Sequence, residues 1–434
     1  MSKLSNIKVR KKMEVNRHMW LRIFISFDIE MIGRAISLYK TSFTGLSKEA
    51  WLLSFIMLVN RSGTMVLPFM TLYLTGPEMN RTLSEAGFVM GLFGLGSIVG
   101  AYFGGKFSDT IGFHKVQLFT LVFGGIFFII LGQLKSYPLI CVFAFLLSMI
   151  NEAFRPANSS AIAFFSTVDN RTRSYSLNRL AINLGWAFGS SIGGLIAAYD
   201  YELLFWVDGI TNMVAAILLY YMLKPTGVVK KNIDKEVSSP TAASAYKDKT
   251  YLWFLVLITL FACCFVQLFT TIPKYFRDGL QLNETFIGLL MAINGIIIVA
   301  IEMILIFTLE KKKKDMQYII IGLVLCACAF LSLLLPGPAK IISLIMILFI
   351  TIGEILSMPF MNTFWIKRCN DANRGQYAAL FTIAWGTANV LGPFLFSALV
   401  DATNFNVMFI VAGIILLITV FGFIRLQKSV CSTI

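Results

Sequence analysis

Apolar runs of about twenty residues, parted by short polar breaks, recur along the chain, and that length is what an α-helix needs to cross hydrocarbon. The first six runs predict spans near 51–75, 84–107, 115–134, 138–165, 176–198 and 204–223. The second six predict spans near 251–273, 284–309, 317–335, 341–365, 376–398 and 405–425. The stretch 115–165 is too long for one crossing, and Ser136-Tyr137-Pro138 supplies the break. Before the first span, Leu21–Lys40 carries Asp28, Glu30 and Arg34, so it is read as an amphipathic helix lying on the membrane surface. The expectation is an all-α membrane protein of about twelve helices in two pseudo-symmetric six-helix bundles. The segments are a basic N-terminus (1–50), a first bundle (51–223), a linker (224–250), a second bundle (251–425) and a tail (426–434).

Composition agrees. Of 434 residues, 57% are hydrophobic and 14% charged, with a mean hydropathy of +0.76. A soluble domain carries roughly 25% charged residues, so lipid rather than water solvates most side chains here. The net charge of +14 is not a nucleic-acid stripe, because the basic residues fall mainly in alternate breaks. Lys106 and Lys115, Arg171 and Arg173, the linker lysines, Lys311–Lys314, Lys367 and Arg368, and Arg425 share one side. The other side carries fewer, among them Arg81, Lys135, Lys274, Arg277 and Lys340. This bias predicts that both termini are cytoplasmic, as an even span count also requires, in a multi-pass protein of the cytoplasmic (inner) membrane. Seven cysteines, mostly inside apolar runs, read as free thiols, and only two histidines make metal chemistry improbable. No cofactor is expected, and no enzyme-type constellation occurs in the spans.

The two halves repeat. Pro156 and Pro359, Arg171 and Arg374, and Gly189 and Gly392 each differ by 203 positions, and Glu152 and Glu354 by 202. Six-plus-six duplication is the sequence mark of carriers whose halves rock about a central site.

Ionisable residues inside the spans are the candidate chemistry, because a charge at mid-bilayer costs roughly 2.5–3.5 kcal/mol on insertion scales. Ser148, Glu152, Arg155 and Ser159 form one polar stripe on the fourth span, with Glu152 and Arg155 spaced to pair. Glu354 lies mid-way along the tenth span with Thr351 and Met358 on its face, and Asn60 and Arg61 lie within the first. Glu152 and Glu354 are read as proton-linked or substrate-linked carboxylates, with Arg61 and Arg155 as counter-charges or anion ligands. A static Glu152–Arg155 pair is the structural alternative. Glu302, in the eighth span, is read as structural; Arg179 and Asn183 lie in the fifth. Met65, Phe69, Met70, Phe360 and Met361 would suit a bulky apolar solute, or are ordinary packing.

Two glycine motifs complete the picture. The break after the second span reads Gly104-Gly105-Lys106-Phe107-Ser108-Asp109-Thr110-Ile111-Gly112-Phe113-His114-Lys115. Its glycines permit a tight turn, and Asp109 can cap a helix or pair across to the other half. The fifth span carries Gly185, Gly189, Gly193 and Gly194, whose missing side chains let helices approach; the eleventh carries Gly392-Pro393.

These motifs resemble the major facilitator superfamily over roughly residues 51–425. Gly105, Asp109, Gly112 and Lys115 match its signature loop between the second and third helices, although Thr110 and Phe113 replace two usual arginines. The resemblance implies a gate that latches the outward-facing state. The fifth-span glycines and Phe154-Arg155-Pro156-Ala157 are similar to the bacterial drug:proton antiporter branch, although Ser190 stands where that motif has proline. The implied activity is proton-coupled efflux of a small organic solute by a monomer. Asn60-Arg61-Ser62-Gly63 and Gly353-Glu354 are also similar to proton-dependent oligopeptide transporters, which keeps uptake of peptides or other metabolites as the alternative. That family's first-helix glutamates are absent here.

Overall fold

The computed structural model describes residues 44–167, 170–223, 244–309, 315–369 and 373–432. The expected surface helix at Leu21–Lys40 and most of the linker lie outside these residues. Among the described residues, twelve helices are long and apolar enough to cross a membrane: Lys48–Leu74, Leu83–Ile111, Phe113–Gln133, Tyr137–Phe164, Arg173–Ala197, Glu202–Met222, Lys249–Phe269, Glu284–Glu302, Asp315–Ser332, Ala339–Arg368, Gln376–Ala402 and Phe405–Ser429. Each coincides with a predicted span to within four residues except at the end of the eighth, whose helix nevertheless continues to Leu309 as expected. The last helix runs on to Ser432, through the start of the segment expected to be a tail.

Local chemistry sets the ends. The second span opens on a capping box: Thr82 Oγ1 accepts from Glu85 N, and the Glu85 carboxylate accepts from Thr82 N. Gly112 separates the second and third spans at φ +92°, a backbone region that glycine adopts without a Cβ clash.

Among the described residues, the seventh crossing passes from the α-helix Lys249–Phe265 into a 3-10 turn, Val266–Phe269, and two others, the first and the fourth, are each split into two α-helical segments. The first comprises half-helices Lys48–Ser62 and Val66–Leu74. Pro68 lacks an N–H and its ring crowds the carbonyl four residues back, so a helix tolerates it only in its first turn, where it stands. The fourth comprises Tyr137–Glu152 and Phe154–Phe164, because Pro156 acts in the same way on the carbonyl of Glu152. Its repeat-mate Pro359 lies inside the uninterrupted helix Ala339–Arg368, so the duplicated prolines give unlike geometry.

The six-helix halves touch along two seams. On one, the second span meets the eleventh. A Cβ added at Gly87 would lie 2.7 Å from Pro393 O, and one at Gly94 would lie 2.6 Å from Asn389 O. On the other, the fifth meets the eighth: a Cβ at Gly194 would lie 2.6 Å from Glu284 O, and one at Gly288 would lie 2.5 Å from Ser190 O. Most of these approaches lie on the side of the membrane away from the linker.

Candidate functional site

The Pro156 break presents Glu152 at the end of its half-helix, facing the first span. Glu152 Oε1 lies 3.5 Å from Arg61 Nη1, and Oε2 lies 3.3 Å from Arg155 Nη2. Arg61 is buried at 4% exposure, whereas the Arg155 side chain is 64% exposed. One carboxylate is thus shared by two guanidiniums, and the accessible one keeps free donor capacity.

The fifth span explains how Arg61 comes so close. An added Cβ at Gly185 would fall 2.7 Å from Arg61 Cβ, and one at Gly189 would fall 2.9 Å from Ser62 O. Gly193 borders Met65 at 3.1 Å. Three of the four motif glycines therefore seat the first span, and Gly194 seats the eighth. A Cβ added at Gly392 would lie 3.0 Å from Cys263 O, and Pro393 lies within the eleventh helix.

Glu354 has a different environment from its repeat-mate. Asn294 Nδ2 donates to its Oε2 at 3.4 Å and to Thr351 Oγ1 at 2.9 Å. Among the described residues, no cation lies within ion-pair distance of Glu354. Glu302, read from sequence as structural, is paired with Arg179 of the opposite half, where the fifth and eighth spans approach the linker side.

Other expected site residues fall elsewhere. Asn60 is buried and donates to Asn212 Oδ1 at 2.9 Å, outside the Arg61–Glu152–Arg155 cluster. Asp109 and Lys115 are exposed, and among the described residues Asp109 makes no ion pair across the halves. A Cβ on Gly105 would meet only Pro156, at 3.9 Å. Met65, Phe69, Met70, Phe360 and Met361 are all buried in the packed core.

The sequence reading missed Asp208. It is fully buried in the sixth span and accepts hydrogen bonds from Met65 N, at 3.0 Å to each oxygen, and from Val66 N at 2.9 Å. A lone aspartate in the apolar run 202–222 was the available signal.

Away from the linker, a polar cluster joins the halves. Arg277 Nη1 donates to Leu72 O at 3.1 Å and to Tyr201 Oη at 3.4 Å, and Nη2 donates to Thr75 Oγ1 at 3.4 Å. Tyr201 Oη donates to Glu284 Oε1 at 2.8 Å, and Ser84 N donates to Asp401 Oδ2 at 2.5 Å. Burial disfavours the Arg277 charge, but its bonds to Asp278 and Tyr201 outweigh burial and hold its pKa above the ordinary value. Burial likewise opposes ionisation of Asp278, and Arg277 and Lys274 reverse it, leaving the carboxyl below the ordinary range. Arg277 and Asp278 are therefore both charged throughout the physiological range. On this side the two bundles are thus held together by the polar cluster as well as by close backbone approaches, and toward the linker Arg179 and Glu302 form an ion pair between them.

A family model described as Major Facilitator Superfamily matches residues 50–393. Multidrug resistance protein 2 of Bacillus subtilis (strain 168) is 23% identical over 363 residues, covering 82% of this chain and 88% of that one. The Na(+), Li(+), K(+)/H(+) antiporter of Planococcus maritimus is 24% identical over 375 residues, covering 77% and 85%. A crystal structure of a POT family transporter in complex with 5-aminolevulinic acid superposes with a TM-score of 0.75 at 13% identity, covering 89% of this chain and 97% of that one.

Proposed function

This chain belongs to the Major Facilitator Superfamily, a family of membrane transporters, and on that premise we propose that it expels a small organic solute across the cytoplasmic membrane in exchange for protons. The carrying observation is the unequal partnering of the two repeat-related carboxylates. Glu152 is fixed between two arginines, whereas Glu354 has an amide for company. A carboxylate buried without a cation is costly to keep ionised, so it takes a proton when water leaves and gives it up when water returns. Glu354 is accordingly the proton carrier. Arg61, Glu152 and Arg155 form the solute-side cluster, with Arg155 offered to an acidic group of the solute. Both termini and the linker are cytoplasmic, and the protein works as a monomer.

One proton descending about 150 mV supplies roughly 3.5 kcal/mol, at 2.3 per 100 mV. That sustains a concentration ratio of several hundred, which suffices for export. The relatives named for multidrug resistance and for proton antiport support this direction, as do the fifth-span glycines. Ser190 in the place of the motif's proline weakens the efflux signal, and the likeness of Asn60-Arg61-Ser62-Gly63 and Gly353-Glu354 to proton-dependent oligopeptide transporters supports proton-coupled uptake as the second reading.

The test uses proteoliposomes loaded with a pH-sensitive dye, an imposed pH gradient, and a panel of fluorescent cationic and anionic compounds. Wild type should accumulate at least one compound against its gradient, with a luminal pH change whose sign separates antiport from symport. Glu354→Gln should lose gradient-driven accumulation yet keep solute exchange. Accumulation by Glu354→Gln equal to wild type at every pH would remove Glu354 from the coupling step.

A further inference from the structure

One face of the sixth span grips the break in the first. Asp208, Thr211 and Asn212 lie at i, i+3 and i+4, so they project from the same side of the helix. Asp208 takes the N–H groups of Met65 and Val66, the unpaired donors at the start of the second half-helix. Thr211 lies so close to Gly63 that an added Cβ there would stand 1.7 Å from Thr211 Oγ1. Asn212 accepts from Asn60 and donates to Asp208 O at 2.8 Å. Arg61 lies between two of these anchor points, Asn60 and Gly63, with Gly185 and Gly189 against its other side.

Asp208 has no cation beside it among the described residues. Its oxygens are met by the two backbone donors, at the positive end of the half-helix dipole. A buried carboxylate with so few partners is expensive, and an apolar side chain would pack at lower cost. What the carboxylate supplies is a fixed break: both of its oxygens hold the chain apart at the point where Arg61 must turn toward Glu152.

We propose that Asp208 is a positioning residue, which clamps the break in the first span and thereby sets the Arg61–Glu152 ion pair; this rests on the reading of that pair as part of the transport site. Asp208→Asn presents an amide N–H₂ toward backbone N–H groups and keeps one acceptor. The clamp loosens while the side-chain volume stays.

The readout is the Glu152 carboxyl band in infrared difference spectra of the purified full chain in lipid, titrated with pH and assigned by its loss in Glu152→Gln. Arg61→Gln should move the titration midpoint by about one pH unit or more, the usual effect of an opposite charge within ion-pair reach. Asp208→Asn should move it the same way by at least half as much. The double variant Asp208→Asn/Arg61→Gln should match Arg61→Gln alone, because both changes remove one interaction. If Asp208→Asn does not fold, Gly63→Ala disturbs the same junction from the Thr211 side and should give the same shift. A folded Asp208→Asn, or Gly63→Ala in its place, with the wild-type midpoint overturns the positioning role and leaves the transport reading intact. An unchanged midpoint in Arg61→Gln overturns both the positioning role and the coupling of Arg61 to Glu152.

Discussion

Arg277 is the cross-half contact whose loss should be most legible. Replacing it with glutamine removes the donors to Leu72 O, Thr75 Oγ1 and Tyr201 Oη while keeping part of the packing. Leu72 O belongs to the last turn of the half-helix Val66–Leu74, where carbonyls lack helical partners and a cation is favoured. A hydrogen bond from a charged donor contributes about 1.5–3 kcal/mol net. Only the bond to Leu72 is of ordinary length; the two at 3.4 Å are weak, and partial exposure screens all three. Taken together, the closed state should lose about 1–2 kcal/mol, a shift of about 5- to 30-fold toward opening on the side away from the linker. The assay is a spin-label distance between cysteines replacing Tyr199 and Leu335, which are exposed near that face in opposite halves, with the native cysteines removed. Arg277→Gln should populate a longer distance that wild type scarcely shows. A distance distribution indistinguishable from wild type would mean that Arg277 does not bias the equilibrium, and that seam packing alone closes this side.

Two further outcomes follow from the same reasoning. Removing either partner of the Arg179–Glu302 pair should not be equivalent. The Glu302 side chain is 8% exposed and the Arg179 side chain 53%, so Arg179→Gln strands a buried carboxylate while Glu302→Gln frees a hydrated guanidinium. Arg179→Gln should therefore lower the thermal midpoint in detergent more than Glu302→Gln, and equal losses would contradict the argument. On the linker side, burial opposes ionisation of Asp248, but bonds from Arg368, Tyr377 and Tyr251 N outweigh it and hold the carboxyl below its ordinary value of 3.8. A depressed carboxyl stabilises the fold at pH above the unfolded value and loses that contribution as pH falls through the folded one. The stability gap between wild type and Asp248→Asn should be constant from pH 6 to about 4 and shrink below it. A gap that holds steady down to pH 3 would exclude this linkage.

Hydropathy alone was enough to place the twelve crossings, because the bilayer acts on each side chain as a solvent and an apolar run of the right length has one low-cost destination. The prolines could be read as well, but their effects could not. Pro156 stands at a break in its span and Pro359 inside a continuous helix, so a proline by itself does not decide whether the backbone breaks. The Glu152–Arg155 pair was visible as an i, i+3 spacing. Its third member, Arg61, was visible only as an isolated charge, and Glu302 was read as structural without sight of its partner Arg179, which comes from the other half. Asp208 is the clearest case, for its partners are backbone N–H groups 142 and 143 residues away. Such groups have no side-chain signature, so nothing in the sequence marks them as donors waiting for a carboxylate. Burial in lipid is a property each residue carries by itself, whereas an ion pair or a capped helix break exists only once two distant segments have been packed together.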